Sequence, residues 1–265
     1  MGRQLRILIA ARHPPGGRLA IGGVQSWCAT VGAELCLLGH EVVFWGPGER
    51  LAGFFDFGIF ANVADTRPAM RVCKKTVTVC HGIILPEKPP ASNAAFTSEE
   101  VRDYWQGYGP IIRQPIDLDF WKPGIGKKNF LVRFSYRDGL DFVPDIAKSM
   151  RLEYAHIKNK SPDDVRAVLK RAAVVLASGR GAVEAMACGA PVVICDDRNY
   201  QGPLLDSDTL GSMHRNYSGR GGLVPTAELV RCAIDKAIDR GSLRTHAKEN
   251  HDVRKIVDQL LETAG

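Results

Sequence analysis

The sequence predicts an α/β fold of parallel strands, and three features carry that prediction. Short apolar runs such as Ala173–Ala177 have the continuous character of a strand buried on both faces. Helical periodicity lies between such runs, clearest where Val24, Trp27, Cys28, Val31, Leu35 and Leu38 share one face. Glycine turns lead into the helices at Gly22–Gly23 and at Gly179–Gly181. Strands and helices alternating in this way build parallel sheets.

In chain order, the first strand is Leu5–Ala10, followed by the loop H-P-P-G-G-R-L-A-I-G-G over 13–23. The periodic helix comes next, stops at Gly39, and gives way to a second strand, Glu41–Trp45. Strand, glycine loop, helix and strand in this order outline a mononucleotide-binding unit, with Gly22 and Gly23 at the helix mouth open to a phosphate. Phe55–Phe60 and Thr76–Cys80 are further strands, and the second runs directly into His81-Gly82. Open α/β sheets bind ligands at the carboxyl ends of their strands, which makes His81 a site candidate beside the plainer reading of a structural histidine.

Asn93–Thr97 is the next strand, and Ser98 with Glu99 and Glu100 opens a helix. Tyr104, Trp105 and Tyr108 cluster beside Arg102 and Arg113, as a stacking surface or as packing at a helix end. The turn-rich stretch Pro123–Lys128 is the expected domain break, giving an N-terminal domain over 1–122 and a C-terminal domain over 123–265. Phe130–Phe134 and Leu152–Ile157 are strands of the second domain, and Ser161-Pro162-Asp163-Asp164 starts a helix. Leu229–Ala237 and Val253–Leu261 carry the last two helical stripes.

The chemistry concentrates in Ala173–Asp196, which reads as strand, glycine turn, short helix over Ala182–Cys188, glycine stop and strand over Val192–Cys195. Ser178, Gly179, Arg180 and Gly181 form the turn. Bare glycines let a ligand reach backbone amides at a helix N-terminus, a setting that favours phosphate. Arg180 adds a fixed positive charge suited to phosphate oxygens. Glu184 can accept hydrogen bonds from vicinal sugar hydroxyls, or serve only as a helix-dipole partner.

S-G-R-G-A-V-E-A-M-A-C-G-A-P-V-V resembles the nucleotide-sugar motif of family 4 glycosyltransferases, which have the GT-B fold of two Rossmann-like domains facing across a cleft. The resemblance implies that Glu184 holds the ribose of the donor nucleotide. The family carries a second glutamate eight positions earlier, where this chain has Leu176, and the turn here is shortened. G-G-V-Q-S-W with L-L-G-H-E-V-V is similar to the family's N-terminal segment, whose glycines face the donor phosphates, and V-T-V-C-H-G to the strand whose histidine approaches the transferred sugar or acceptor. R-F-S-Y-R-D-G resembles the pattern that neutralises the donor diphosphate. Arg133 matches its arginine, Asp138 occupies its lysine position, and Arg137 stands one residue earlier. Segment 113–123 resembles the family's interdomain linker, and the last helix of GT-B proteins often crosses back to the first domain.

The implied activity is transfer of a sugar from a UDP- or GDP-sugar to an acceptor hydroxyl, with retention, without a metal and with no tightly bound cofactor. The implied catalytic residues are His81, Arg133 and Arg137, and the donor-binding residues are Gly22, Gly23, Ser178, Gly179, Arg180, Gly181 and Glu184. The acceptor stays open among glycans, lipids and small molecules. Leu176 and the short second domain leave a non-catalytic nucleotide-sugar-binding partner or degenerate transferase as the alternative. The basic balance and the tyrosine cluster leave a transferase acting on modified DNA, and the fold alone admits a sugar-nucleotide epimerase.

Composition narrows the classes further. Hydrophobic residues at 45% with charged residues at 24% are those of a folded globular chain. No run approaches the ~18 apolar residues of a membrane span, and Leu5–Ala11 is too short for a signal segment. Seven cysteines without a C-x-x-C pair point to reduced thiols, hence a cytoplasmic chain, at most peripheral to a membrane. The net charge of +6 suits an anionic donor, a membrane surface or nucleic acid and selects none of them. No zinc-ligand cluster or G-x-S-x-G elbow occurs, and the D-x-D pairs at 117–119 and 206–208 read as turns.

Overall fold

The computed structural model describes residues 3–15, 22–62, 67–83, 93–195 and 209–263. The chain divides into two compact units, one of Met1–Pro115 with Asp252–Gly265 and one of Ile116–His251.

The first unit contains β1 (Arg6–Ala11), α1 (Gly23–Leu37), β2 (Glu41–Trp45), β3 (Phe55–Ala61), α2 (Arg67–Met70), β4 (Cys73–Cys80), β5 (Ala94–Phe96) and α3 (Glu99–Tyr104). Its strands form one parallel sheet in the order β2-β1-β3-β4-β5. The α1 stripe buries Trp27, Cys28, Val31 and Leu35 against Ile7, Ile9 and Phe57 of the sheet. Ser98 caps α3 as its residue type suggests, accepting the Val101 amide.

The second unit contains β6 (Phe130–Phe134), α4 (Val143–Ser149), β7 (Glu153–Ile157), α5 (Pro162–Leu169), β8 (Ala172–Ala177), α6 (Gly179–Ala187), β9 (Val192–Ile194), α7 (Thr209–His214), α8 (Ala227–Arg240) and α9 (Arg244–His251). Its parallel sheet has the order β7-β6-β8-β9. The continuous apolar character of β8 has a direct cause. Ala172, Val175 and Ala177 point into a core shared with α5, α6 and α9, whereas Val174 and Leu176 point into one shared with α4 and α8. Both faces are covered, so no polar alternation survives.

The units part at Pro115, ahead of the break expected after Lys122, because Ile116 and Trp121 pack in the second core. The final helix, α10 (Val253–Thr263), places Val253, Ile256, Val257 and Leu260 in the core of the first unit with Trp27 and Val31. Fully burying each such side chain stabilises by about 1.5–3 kcal/mol before entropy is charged against it. All seven cysteines are thiols outside any disulfide. Among the described residues no helix is long and apolar enough to cross a membrane.

Candidate functional site

In the second unit the strand order reverses between β6 and β8, since the chain leaves β6 for β7 on one side and returns to β8 on the other. Ligands of open α/β sheets bind beyond the carboxyl ends of the strands at such a switch point. Phe134 and Ala177 are register partners there, so the segments that follow them, 135–137 and 178–181, begin side by side.

Helix α6 starts earlier than expected, at Gly179 in place of Ala182. The predicted glycine turn is therefore the first turn of the helix. Gly179 has φ +56° and donates its amide to the Tyr217 carbonyl at 2.7 Å. A Cβ placed on it would meet nothing within 4 Å, so the left-handed backbone is what calls for glycine. Gly181 has a different reason. A Cβ there would stand 3.0 Å from the Phe134 ring, so its bareness lets α6 close onto β6. Ser178 is the extended N-cap residue but makes no side-chain cap, and the first turn holds no acidic residue. The positive end of the helix dipole is therefore met neither by the Ser178 hydroxyl nor by a carboxylate of its own first turn.

Arg180 and Glu184 form a buried ion pair behind this mouth, Nε to Oε1 at 2.8 Å. Burial pushes the Glu184 carboxyl above its ordinary value of 4.5, and the Arg180 charge and hydrogen bond pull the other way. Arg180 thus spends one donor on holding the carboxylate in place.

At the end of β6, Arg133 is only 4% exposed and its Nη2 donates to the Arg137 carbonyl at 2.7 Å. The Arg137 side chain is exposed, donates from Nε to the Tyr136 hydroxyl and lies over the Tyr136 ring. The two arginines expected from sequence therefore play unequal parts: one braces the 135–137 loop from below, the other lies on the surface. His156 stands beside Arg133 in register and donates from Nε2 to the Ser135 carbonyl at 2.9 Å. Lys158, just past β7, pairs with Asp138 at 2.8 Å and holds that carboxyl below its ordinary range. His156 and Lys158 escaped sequence reading, although both follow from taking β7 as a strand that ends beside β6. Leu176, opposite Arg133 in register, is 2% exposed in the apolar core with Leu131.

The remaining candidates lie in the first unit. His81 follows the carboxyl end of β4, and its amide donates to Asn62 Oδ1 at 2.8 Å. Asn62 follows β3 in the left-handed region, φ +53°. The Trp27 ring meets the His81 imidazole edge-on at 5.0 Å between centroids, which ties His81 to the helix that Gly22 and Gly23 open. Gly22 is the extended N-cap of α1 without a side-chain cap, and a Cβ on Gly23 would meet nothing within 4 Å. Trp105 donates to the Gly82 carbonyl at 3.0 Å, so it holds the His81 segment, while Tyr104 and Tyr108 are exposed. Asp117 spends Oδ1 on the amides of Asp119 and Phe120, a turn as expected. Asp206–Asp208 and residues 16–21 of the 13–23 loop lie outside the described residues. Among the described residues no three His, Cys, Asp or Glu side chains group to hold a metal.

No family model matches the chain, and no curated protein does. Solved structures do. AviGT4, a glycosyltransferase involved in avilamycin A biosynthesis, superposes with a TM-score of 0.67 over 98% of this chain and 97% of its own at 15% identity. An α-glucosyltransferase in complex with UDP and a 13-mer DNA containing a HMU base gives 0.57 over 99% and 100% at 10% identity. Sucrose-phosphate synthase from Thermosynechococcus elongatus gives 0.55 over 98% of each chain at 10% identity.

The chain has the GT-B fold. Coverage is nearly complete on both sides of each pair, so GT-B accounts for both compact units and not for one alone. Identity of 10–15% leaves the activity to be argued from the site.

Proposed function

We propose that this protein is a glycosyltransferase that moves a sugar from a nucleoside-diphosphate sugar, UDP- or GDP-linked, to an acceptor hydroxyl. The observation that carries the reading is the glycine-opened mouth of α6 at the switch point, with the buried Arg180–Glu184 pair behind it. Amides of the first turn and the helix dipole bind the diphosphate. Glu184 keeps one oxygen on Arg180 and offers the other to the ribose hydroxyls. Arg137, on the loop that Arg133 braces, supplies positive charge as the sugar bond breaks and the nucleoside diphosphate departs. The second unit is the nucleotide-sugar side in this reading, and the first unit serves the acceptor through His81, with Gly22 and Gly23 contributing toward phosphate. Retention at the anomeric carbon and independence of metal follow from the family 4 resemblance. GT-B neighbours named as glycosyltransferases, one of them with UDP, support the assignment.

A thermal-shift panel of UDP, GDP, ADP and their sugars tests it, because a ligand bound only by the native chain raises Tm. A selective shift is expected that Glu184→Ala and Arg133→Ala abolish while remaining folded. Absence of any shift at millimolar nucleotide would remove the reading. A second reading, nucleotide-sugar binding without turnover, rests on Leu176, whose buried apolar side chain stands where the family pattern has a carboxylate. Donor hydrolysis by the purified protein would dispose of it.

A further inference from the structure

Tyr217 carries no motif, yet three connections converge on it. Its carbonyl accepts the Gly179 amide at 2.7 Å. Its ring is 2% exposed. Its hydroxyl lies 2.8 Å from His246 Nε2 and 2.7 Å from His251 Nε2. A phenol has one proton to give and lone pairs to receive, so it bridges the two imidazoles by donating to one and accepting from the other. Asn250 sets the direction. Its Nδ2 donates to the His246 carbonyl at 3.0 Å and lies 3.3 Å from His246 Nδ1, which makes Nδ1 the acceptor. Neutral His246 then carries its proton on Nε2 and donates to Tyr217, and Tyr217 donates to His251. His251 is itself fixed, its carbonyl accepting the Ile116 amide at 2.7 Å.

The backbone at this point needs such a clamp. Asn216 and Tyr217 both lie in the left-handed region, at φ +52° and +53°. Residues with a Cβ are disfavoured there and stay only when their surroundings over-determine them. We infer that Tyr217 is a positioning residue: its phenol, clamped between His246 and His251, holds 216–217 left-handed and so fixes the carbonyl that presets Gly179 at the mouth of α6. The functional half of this inference rests on the proposed reading of that mouth as the donor diphosphate site.

Hydrogen exchange on the ligand-free protein separates the two halves. Tyr217→Phe removes only the hydroxyl, and exchange of the Gly179 amide is expected to rise about fivefold to tenfold, with β6 and α5 unchanged. His246→Ala leaves the His251 arm in place and should give a smaller rise in the same segment. Unchanged exchange at Gly179 in Tyr217→Phe, or a rise spread evenly through β6 and α5, overturns the positioning role. If Tyr217→Phe does not fold, His246→Ala decides on the same criterion. Titration of the same proteins with UDP and GDP reads the function: affinity for the nucleotide that the wild-type chain binds should fall about fivefold to tenfold in Tyr217→Phe. Unchanged affinity overturns the link to binding. Failure of the wild-type chain to bind either nucleotide counts against the donor reading, and the exchange result still decides the positioning role.

Discussion

Arg180 and Glu184 sit one helical turn apart in α6, joined at 2.8 Å, with each side chain only 9% exposed. Their order along the helix is the less stabilising one, since the cation stands nearer the positive end of the dipole and the anion farther from it. Stability alone gives little reason for this arrangement, whereas a site for phosphate and ribose does.

The pair makes an asymmetric prediction. Glu184→Ala removes the carboxylate from a buried ion pair and should destabilise by about 3–5 kcal/mol. Arg180→Ala should do less harm, because the carboxyl it leaves behind can take a proton. Replacing both, as Arg180→Met with Glu184→Leu, should recover most of the stability while nucleotide binding stays lost. Denaturant unfolding of the three variants checks this. Equal losses in both single variants and an additive double loss would refute the asymmetry.

The same carboxyl fixes the sign of a pH effect. Burial raises its folded-state value above the ordinary 4.5, so the native chain holds that proton more tightly than the unfolded chain. Its contribution to stability is therefore fully present below 4.5 and is lost as pH rises through the raised folded value. Relative to Glu184→Gln, the wild-type chain should lose stability between acid pH and neutrality, and paired melting curves across that range read the difference. A wild-type chain that gains on the variant as pH rises would show that the Arg180 attraction outweighs burial.

Gly179 and Gly181 are required for different reasons, and a second-site test distinguishes them. Gly181→Ala sets a methyl 3.0 Å from the Phe134 ring, which offsets the roughly 1 kcal/mol that alanine gains over glycine in a helix, and Phe134→Leu should make the substitution more favourable. Gly179→Ala meets open space but keeps the left-handed penalty of about 1–2 kcal/mol, and Phe134→Leu should not help it. A gain from Phe134→Leu in both variants, or in neither, would contradict this division.

Much of the fold was legible because burial leaves periodic marks. The α1 stripe has one buried face and the strand β8 has two, and each prints its period in the residues. Helix α9 left no such mark. It is polar but for Ala247, buries only Ala247 and His251, and is held by directional bonds. Among these, Arg244 donates to the Trp121 and Leu118 carbonyls and to that of Ala187 at the end of α6. In the site, the Gly179 turn was legible from its glycines. The brace from Arg133 to the Arg137 carbonyl was not, since a strand arginine reads alike whichever way its guanidinium turns. Tyr217 acts on Gly179 through a main-chain carbonyl, which any residue type supplies.

Asn62 offers the sharpest test of the first unit. It combines a left-handed backbone with a side-chain oxygen that accepts the His81 amide, two demands that few residues meet together. Asn62→Gly keeps the backbone and loses the hydrogen bond, which should cost about 1 kcal/mol. Asn62→Ala loses the bond and adds the left-handed penalty, so it should cost about 2–3 kcal/mol. If His81 serves the transfer step, the two variants should lower kcat in that same order and leave nucleotide affinity unchanged. Unfolding curves settle the stability ranking. Wild-type kcat in Asn62→Ala would free His81 from any catalytic part that depends on this anchor.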